Sequence, residues 1–272
     1  MRELRALAPV ADAPMTSPSK LSIEHLSVKF GQVVALNDVS LQVNEGEFVS
    51  ILGASGCGKS TLFNAVSGLL RATSGKIKLD GRDVSNRPGE VGYMLQKDLM
   101  LPWRTVRGNI TLAASLTRGA TKEDQAEAEK LATRYGLGEF LNHYPHALSG
   151  GMRQRVAMMR TIAAGRQVML LDEPFGALDA QTRFSMQQWL LQVWKDLGRT
   201  ILFVTHDVDE AIFLADRIVV MTPRPGRIGE VVQVGLPRPR SLEDLTTEAF
   251  TALKRQIMAR LYHDEQTAGA AK

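Results

Sequence analysis

Cysteine is almost missing from this 272-residue chain: Cys57 stands alone, which excludes an internal disulfide framework and leaves nothing that requires an oxidising compartment. A cytosolic setting fits. Aromatic residues make up only 6% of the sequence, and long apolar runs are missing too. Segments such as VMLL at 168–171 and ILFV at 201–204 are strand-sized, far short of the roughly 18 to 20 uninterrupted apolar residues that a bilayer-spanning helix needs. Any role at a membrane must therefore pass through a partner. At the N-terminus, Pro9, Asp12 and Pro14 break the apolar run that a secretory signal would require, so residues 1–20 read as a flexible tail. No charge sign dominates either: 33 Lys and Arg face 29 Asp and Glu, and the net charge of +4 is spread along the chain as a solvated surface, not a nucleic-acid footprint.

What is present is 44% apolar residues, enough for one sizeable core. LSIEHLSVKF and the segment around VSLQV alternate apolar and polar residues, with turns expected at Gly31 and at Asn37-Asp38, as in paired strands near a sheet edge. EFVSIL then runs into a glycine loop and a helix. Short strands with turns fill 74–95, and the character becomes helical over about 101–160, where Thr121 to Asp124 has the form of a capping box. Beyond it, helix patterns alternate with the fully apolar runs before Asp172 and Thr205, the mark of buried parallel strands. The fold class is therefore α/β, with 21–240 as the main domain and a C-terminal helix and Ala-rich, frayed tail in 241–272.

Gly53-Ala54-Ser55-Gly56-Cys57-Gly58-Lys59-Ser60, followed by Thr61, satisfies G-x-x-x-x-G-K-[ST] between an apolar strand and a helix. Glycines let successive N–H groups wrap phosphate oxygens, and the helix N-terminus adds partial positive charge. Lys59 is expected to bridge the β- and γ-phosphates and Ser60 to offer a hydroxyl to Mg²⁺. Asp172 and Glu173 follow VMLL at a strand's end, where open α/β sheets bind ligands; Asp172 suits magnesium held through water, and Glu173 suits polarising an attacking water. His206 ends the next apolar run in the same way. Cys57 reads as a small loop residue whose place near a helix N-terminus lowers its thiol pKa, so that alkylation is expected, with ATP protecting.

A second glycine turn, LSGGMRQR at 148–155, is harder to place in the same cradle. Ser149 can donate a hydroxyl, Gly150 and Gly151 allow close backbone approach, and the helix behind them aims its positive end at an anion. LSGGMRQR, Gln96, FGALDA and THD, in this order with the phosphate loop, resemble the nucleotide-binding subunit of an ATP-binding cassette (ABC) transporter across about 21–230. The resemblance implies a P-loop NTPase fold with a mixed sheet core, an antiparallel β edge subdomain and an inserted helical subdomain. It also implies a homodimer in which Ser149, Gly150 and Gly151 close over the nucleotide of the partner chain, with Asp179 working across the interface. By the same resemblance Phe30 stacks on adenine, although it could equally be core. Gln96 links the γ-phosphate and metal site to the transmembrane partner, His206 is the switch histidine and Glu173 the catalytic base. ATP and Mg²⁺ are the implied cofactors.

KDLMLPWRTVRGNI after Gln96 and the later RPGRI segment are similar to the importers for nitrate, taurine and aliphatic sulfonates. That branch implies permease subunits, with Leu101 and Trp103 in the groove that receives them, and indirectly a periplasmic binding protein, with the chain peripheral on the cytoplasmic face of the inner membrane. Departures are MMRTIAAGRQ in place of an alanine-leucine-rich stretch, and the 20-residue tail. The competing reading is a soluble cassette ATPase acting on nucleic acid or ribosomes; such proteins usually carry a long coiled-coil insertion or two cassettes, and this chain has neither.

Overall fold

The computed structural model describes residues 19–270, with side chains to 262; the expected tail at 1–20 lies outside the described residues except for its last two. Strands β1 (Ser19–Phe30) and β2 (Val33–Asn44) form a hairpin around Gly31, followed by β3 (Phe48–Gly53) and α1 (Lys59–Val66). Next come β4 (Ser74–Leu79), β5 (Arg82–Asp83) and β6 (Gly92–Met94), then α2 (Val106–Ile110), α3 (Leu112–Thr117), α4 (Lys122–Arg134) and α5 (Gly150–Ala163). The chain returns through β7 (Val168–Asp172), α6 (Ala180–Leu197), β8 (Thr200–Val204), α7 (Val208–Leu214), β9 (Arg217–Met221), β10 (Ile228–Gln233) and α8 (Glu248–Ala270).

Two sheets result. One is antiparallel, in the order β2-β1-β4-β5; the other, in the order β10-β9-β3-β8-β7-β6, is parallel except for its edge strand β10. Every residue of β3, β7 and β8 is buried, as parallel strands covered on both faces must be. Each such Leu, Ile, Val or Phe contributes roughly 1.5–3 kcal/mol by leaving water. The mixed sheet, the antiparallel edge sheet and the helices between β6 and β7 agree with the fold class read from the sequence.

Two local expectations change. Asn37-Asp38 is not a turn: β2 runs through it, and Asp38 (φ 55°) sits opposite His25 (φ 51°) where the β1–β2 register shifts. The distortion is absorbed as a bulge, with His25 Nδ1 and Asp38 Oδ1 2.7 Å apart. At the C-terminus, α8 continues to Ala270 where fraying was expected from residue 263. By contrast, the capping box forms as read: Thr121 Oγ1 accepts from Asp124 N, and Thr121 N donates to Asp124 Oδ2. Arg118 pairs with both Asp124 oxygens and holds that carboxyl below the usual carboxylate range.

Parallel pairing fixes where the loops emerge. Asp172 lies beside Val204 and Val204 beside Ile51, so the chain leaves β3, β7 and β8 at one edge of the sheet. The turn between β9 and β10 is pinned to the same edge. Gly226 N donates to Ala35 O, Asn37 N donates to Gly226 O, and a Cβ on Gly226 would fall on the Cys57 carbonyl oxygen. Only glycine permits that approach. We expect Gly226→Ala to lower the unfolding free energy by about 1–3 kcal/mol, because the displaced groups are backbone, and to weaken nucleotide binding; chemical denaturation showing wild-type stability would refute the contact.

Candidate functional site

The glycine loop joins β3 to α1, and sterics dictate its composition. A Cβ on Gly53 would stand 2.8 Å from Cys57 Sγ and 2.9 Å from Met221 O, and one on Gly58 (φ 112°) would stand 2.7 Å from Leu36 Cδ2. Gly58 caps α1 without any side-chain acceptor, so N–H groups of the first turn stay available to a ligand. Lys59 is buried, and its ammonium donates to Gly53 O at 2.8 Å and Ala54 O at 3.2 Å. An ammonium has three donors; two go to these carbonyls, and Cys57 Sγ, 4.0 Å away, is only a weak acceptor that an anion would displace. The cleft beside it has a volume of about 420 Å³ and is lined by Ser55, Gly56, Gly58, Lys59, Ser60 and Thr61 from the loop and by Gln96, Glu173 and His206 from the strand ends.

Asp172 closes β7 and is almost fully buried. Burial pushes its carboxyl pKa up, against the opposing pull of hydrogen bonds from Ser60 and Tyr93; the Tyr93 hydroxyl donates to Oδ2 at 3.4 Å and is itself pushed well above the normal tyrosine range by burial and Asp172. Ser60, hydrogen-bonded to Asp172, lines the cleft with Gln96, and the side-chain oxygens of the three would make an all-oxygen donor set with one carboxylate. That set suits Mg²⁺, a hard ion held by one or two carboxylates with substrate phosphates and water making up its shell.

Glu173 is the most constrained residue of the cleft. Its backbone is left-handed (φ 45°), a conformation that costs a non-glycine residue on the order of 1–3 kcal/mol. Glu173 N donates to Val204 O at 2.9 Å and Gly176 N donates to Glu173 O at 3.3 Å, so the neighbouring strand and turn impose it. The carboxylate is thereby turned toward Gln96 Nε2, which donates to Oε2 at 3.2 Å, and toward His206 Nδ1 at 3.3 Å. The His206 side chain is 66% exposed. The three residues thus form one polar cluster facing the loop.

Not every sequence-selected residue lines this cleft. Ser149 caps α5, its Oγ accepting from Met152 N, and Asp179 caps α6, accepting from Thr182 N. That bond, together with others to the local backbone, holds the Asp179 carboxyl low. The two turns touch: a Cβ on Gly151 would lie 2.9 Å from Thr182 Cγ2, and one on Gly150 would lie 3.9 Å from Leu178 Cδ2. Ser149, Gly150, Gly151 and Asp179 therefore form a second, separate cluster, with Ser149, Gly150 and Asp179 exposed. Phe30, at the end of β1, is 50% exposed, which removes the core alternative. Cys57 corrects its expectation, since its thiol is 1% exposed and faces the core. Burial pushes the thiol pKa up and outweighs the neighbouring Lys59 charge. The sequence reading also missed Arg224, which lines the cleft beside Gly56; RPGRI had been noted only for its resemblance.

Loop, lysine and strand-end carboxylates define a P-loop nucleotide hydrolase. Residues 36–176 match the family model described as ABC transporter. The chain is 40% identical over 263 residues to the taurine import ATP-binding protein TauB of Rhizobium johnstonii, covering 92% of this chain and 100% of that one. It is 42% identical over 243 residues to the nitrate import ATP-binding protein NrtD of Synechococcus elongatus, covering 86% of this chain and 89% of that one. A solved dimeric ATP-binding cassette in a post-hydrolysis state, bound to ADP and Pi, aligns with a TM-score of 0.68 at 30% identity over 80% of this chain and 100% of that one. This chain belongs to the ABC transporter ATP-binding family and is an ATPase of that family.

Two outcomes test the geometry. Glu173→Gly should be more stable than Glu173→Ala by about 1 kcal/mol, because glycine occupies φ 45° without the Cβ penalty; equal thermal unfolding of the two variants would contradict the strain. Iodoacetamide should label native Cys57 far more slowly than the unfolded chain at pH 8, since the thiolate is both disfavoured and inaccessible; native labelling as fast as unfolded would show that the thiol is not packed.

Proposed function

We propose that the protein is the ATP-hydrolysing subunit of an importer for a small anion of the nitrate, taurine or alkanesulfonate class, working as a homodimer on permease subunits at the cytoplasmic face of the membrane. The observation that carries the dimer is the exposed Ser149-Gly150-Gly151 turn packed on the Asp179 turn, away from the cleft of its own chain. A helix N-terminus with two glycines and a serine suits a phosphate, and a second copy supplies the nucleotide it lacks. The solved cassette described as dimeric and bound to ADP and Pi supports a dimer, and the taurine and nitrate import relatives support the substrate class.

In this reading Phe30 stacks on the adenine, and the Gly53–Thr61 loop with Lys59 holds the phosphates. Ser60, Asp172 and Gln96 would hold Mg²⁺, which would neutralise charge on the phosphate oxygens. Glu173 orients and polarises the attacking water, and its strained backbone keeps the carboxylate aimed. His206 shares Glu173 Oε2 with Gln96 and reaches the γ-phosphate. From the partner chain, Ser149, Gly150 and Gly151 close the other side, and Asp179 bridges the interface.

Coupling to a permease has a physical route. Trp103 is 71% exposed and Leu99 52% exposed, just beyond Gln96, with Leu101 half-buried between them; together they are suited to receive an apolar permease element. Arg160 donates to the carbonyls of Asp98 and Leu99, and Arg153 joins Leu148 O to the Asp98 carboxylate. Both arginines ride on α5, the helix headed by Ser149. Movement of the serine turn over a partner's nucleotide therefore pulls directly on the permease-facing segment. Among the described residues no helix is long and apolar enough to cross a membrane, so attachment would run through this surface. A periplasmic binding protein would deliver the anion to the far side.

Glu173→Gln should lower ATPase turnover by about 10²-fold or more while yielding an ATP-stabilised dimer in light scattering; a monomer at saturating Mg-ATP would refute the shared-site reading. For the cargo, a deletion strain should fail to grow on at least one of nitrate, taurine or an alkanesulfonate as sole nitrogen or sulfur source, and normal growth on all of them would exclude the substrate class.

A further inference from the structure

We propose that Arg224 is a nucleotide-contacting residue whose guanidinium supplies a second cation to the substrate's phosphates, across the cleft from Lys59. The inference rests on the nucleotide seating proposed above and adds a group from outside the glycine loop and the strand-end cluster.

Three observations place it there. First, Arg224 lines the cleft with Ser55, Gly56 and Lys59. Secondly, its side chain is exposed and underused: Nη2 donates to Gly56 O at 3.4 Å, a long bond, and among the described residues no carboxylate pairs with it. A guanidinium has five N–H donors in a planar fork matched to phosphate oxygens, so most of them remain for a ligand. Thirdly, its base is rigid. Thr222 N donates to Arg227 O at 2.9 Å and Arg227 N to Thr222 Oγ1 at 3.1 Å, closing the turn, while Gly226 is locked between Ala35 and Asn37 on β2 and the Cys57 carbonyl.

Electrostatics favour the assignment. The cleft already contains Glu173, with Asp172 beside it, and a polyphosphate adds several negative charges to theirs. Lys59 is one buried cation with two donors committed to Gly53 O and Ala54 O, so a second, exposed cation lining the same cleft offsets charge that the backbone N–H groups only partly meet. Arginine suits the task because its charge is fixed and its fork can engage two oxygens together.

Mg-ADP binding by calorimetry and ATPase kinetics should be measured for Arg224→Ala, Arg224→Met and Arg224→Lys, with Lys59→Ala as control. Arg224→Ala and Arg224→Met are expected to raise the Kd for ADP and the KM for ATP by about 5- to 20-fold, the loss of one charge-assisted contact at a partly solvated site. Arg224→Lys should recover part of this, the deficit should shrink in high salt, and the thermal midpoint should stay at the wild-type value. Wild-type affinity in Arg224→Ala, or recovery by Arg224→Met but not by Arg224→Lys, would overturn the proposal by leaving only a packing role. If Lys59→Ala also binds Mg-ADP normally, the nucleotide seating itself is wrong; if it loses binding while Arg224→Ala does not, only the Arg224 contact fails.

Discussion

The parallel register of β3, β8 and β7 is the constraint on which the cleft depends. Once Ile51, Val204 and Asp172 lie abreast, Gly53, Glu173 and Thr205-His206 must leave the sheet at one edge, whatever their side chains do. Fully buried strands make this register costly to alter, because slipping one residue would bury Asp172 or Glu173 more deeply and expose an apolar residue in exchange. The chemistry is thus placed by residues that take no part in it. A ligand at that edge meets the first N–H groups of α1, the buried Lys59 and two carboxylates at once.

Two residues of the cleft show how burial and strain are distributed. Cys57 sits in the phosphate loop by sequence, yet it is buried in the same apolar cluster as Leu36 and Met221, with its thiol against Gly53; what the loop needs at this position is a small apolar group that fits. Glu173 is the opposite case. A local rule is violated there, and the cost is met by hydrogen bonds from the neighbouring strand and from Gly176, so the carboxylate is held against Gln96 and His206 without freedom to rotate away by backbone relaxation.

Much of this was legible beforehand, for identifiable reasons. The strand-loop-helix order around Gly53–Ser60 and the apolar runs ending at Asp172 and Thr205 are short-range patterns, and parallel sheets convert them directly into geometry. The capping box at Thr121 is equally local, and it formed as read. Asn37-Asp38 misled because a bulge and a turn draw on the same residue types, and only the pairing partner His25 decides between them. Cys57 misled because its sequence position near a helix N-terminus says nothing of which way the thiol points. Arg224 was missed because its place in the cleft depends on Gly226 docking on β2 and on Cys57, a contact across nearly the whole length of the domain that no periodicity records. The strain at Glu173 has no sequence signature, since it is imposed by Val204 and Gly176.

The separation of the two glycine turns follows from the same topology. The phosphate loop opens α1 at the edge where β3 ends, whereas the serine turn opens α5, the helix that precedes β7, and its residues are not among those lining the cleft. Within one chain the two helix N-termini do not share a cleft. Two copies can do so if each lends its serine turn to the other, and the arrangement makes closure dependent on nucleotide in both. α5 also holds the Asp98-Leu99 segment, Arg160 through the two backbone carbonyls and Arg153 through the Asp98 carboxylate, so in the proposed dimer such closure would be felt where Trp103 meets solvent. In that proposed arrangement α5 would join the chemical event to the surface on which a partner acts, through two arginines seven residues apart on one face.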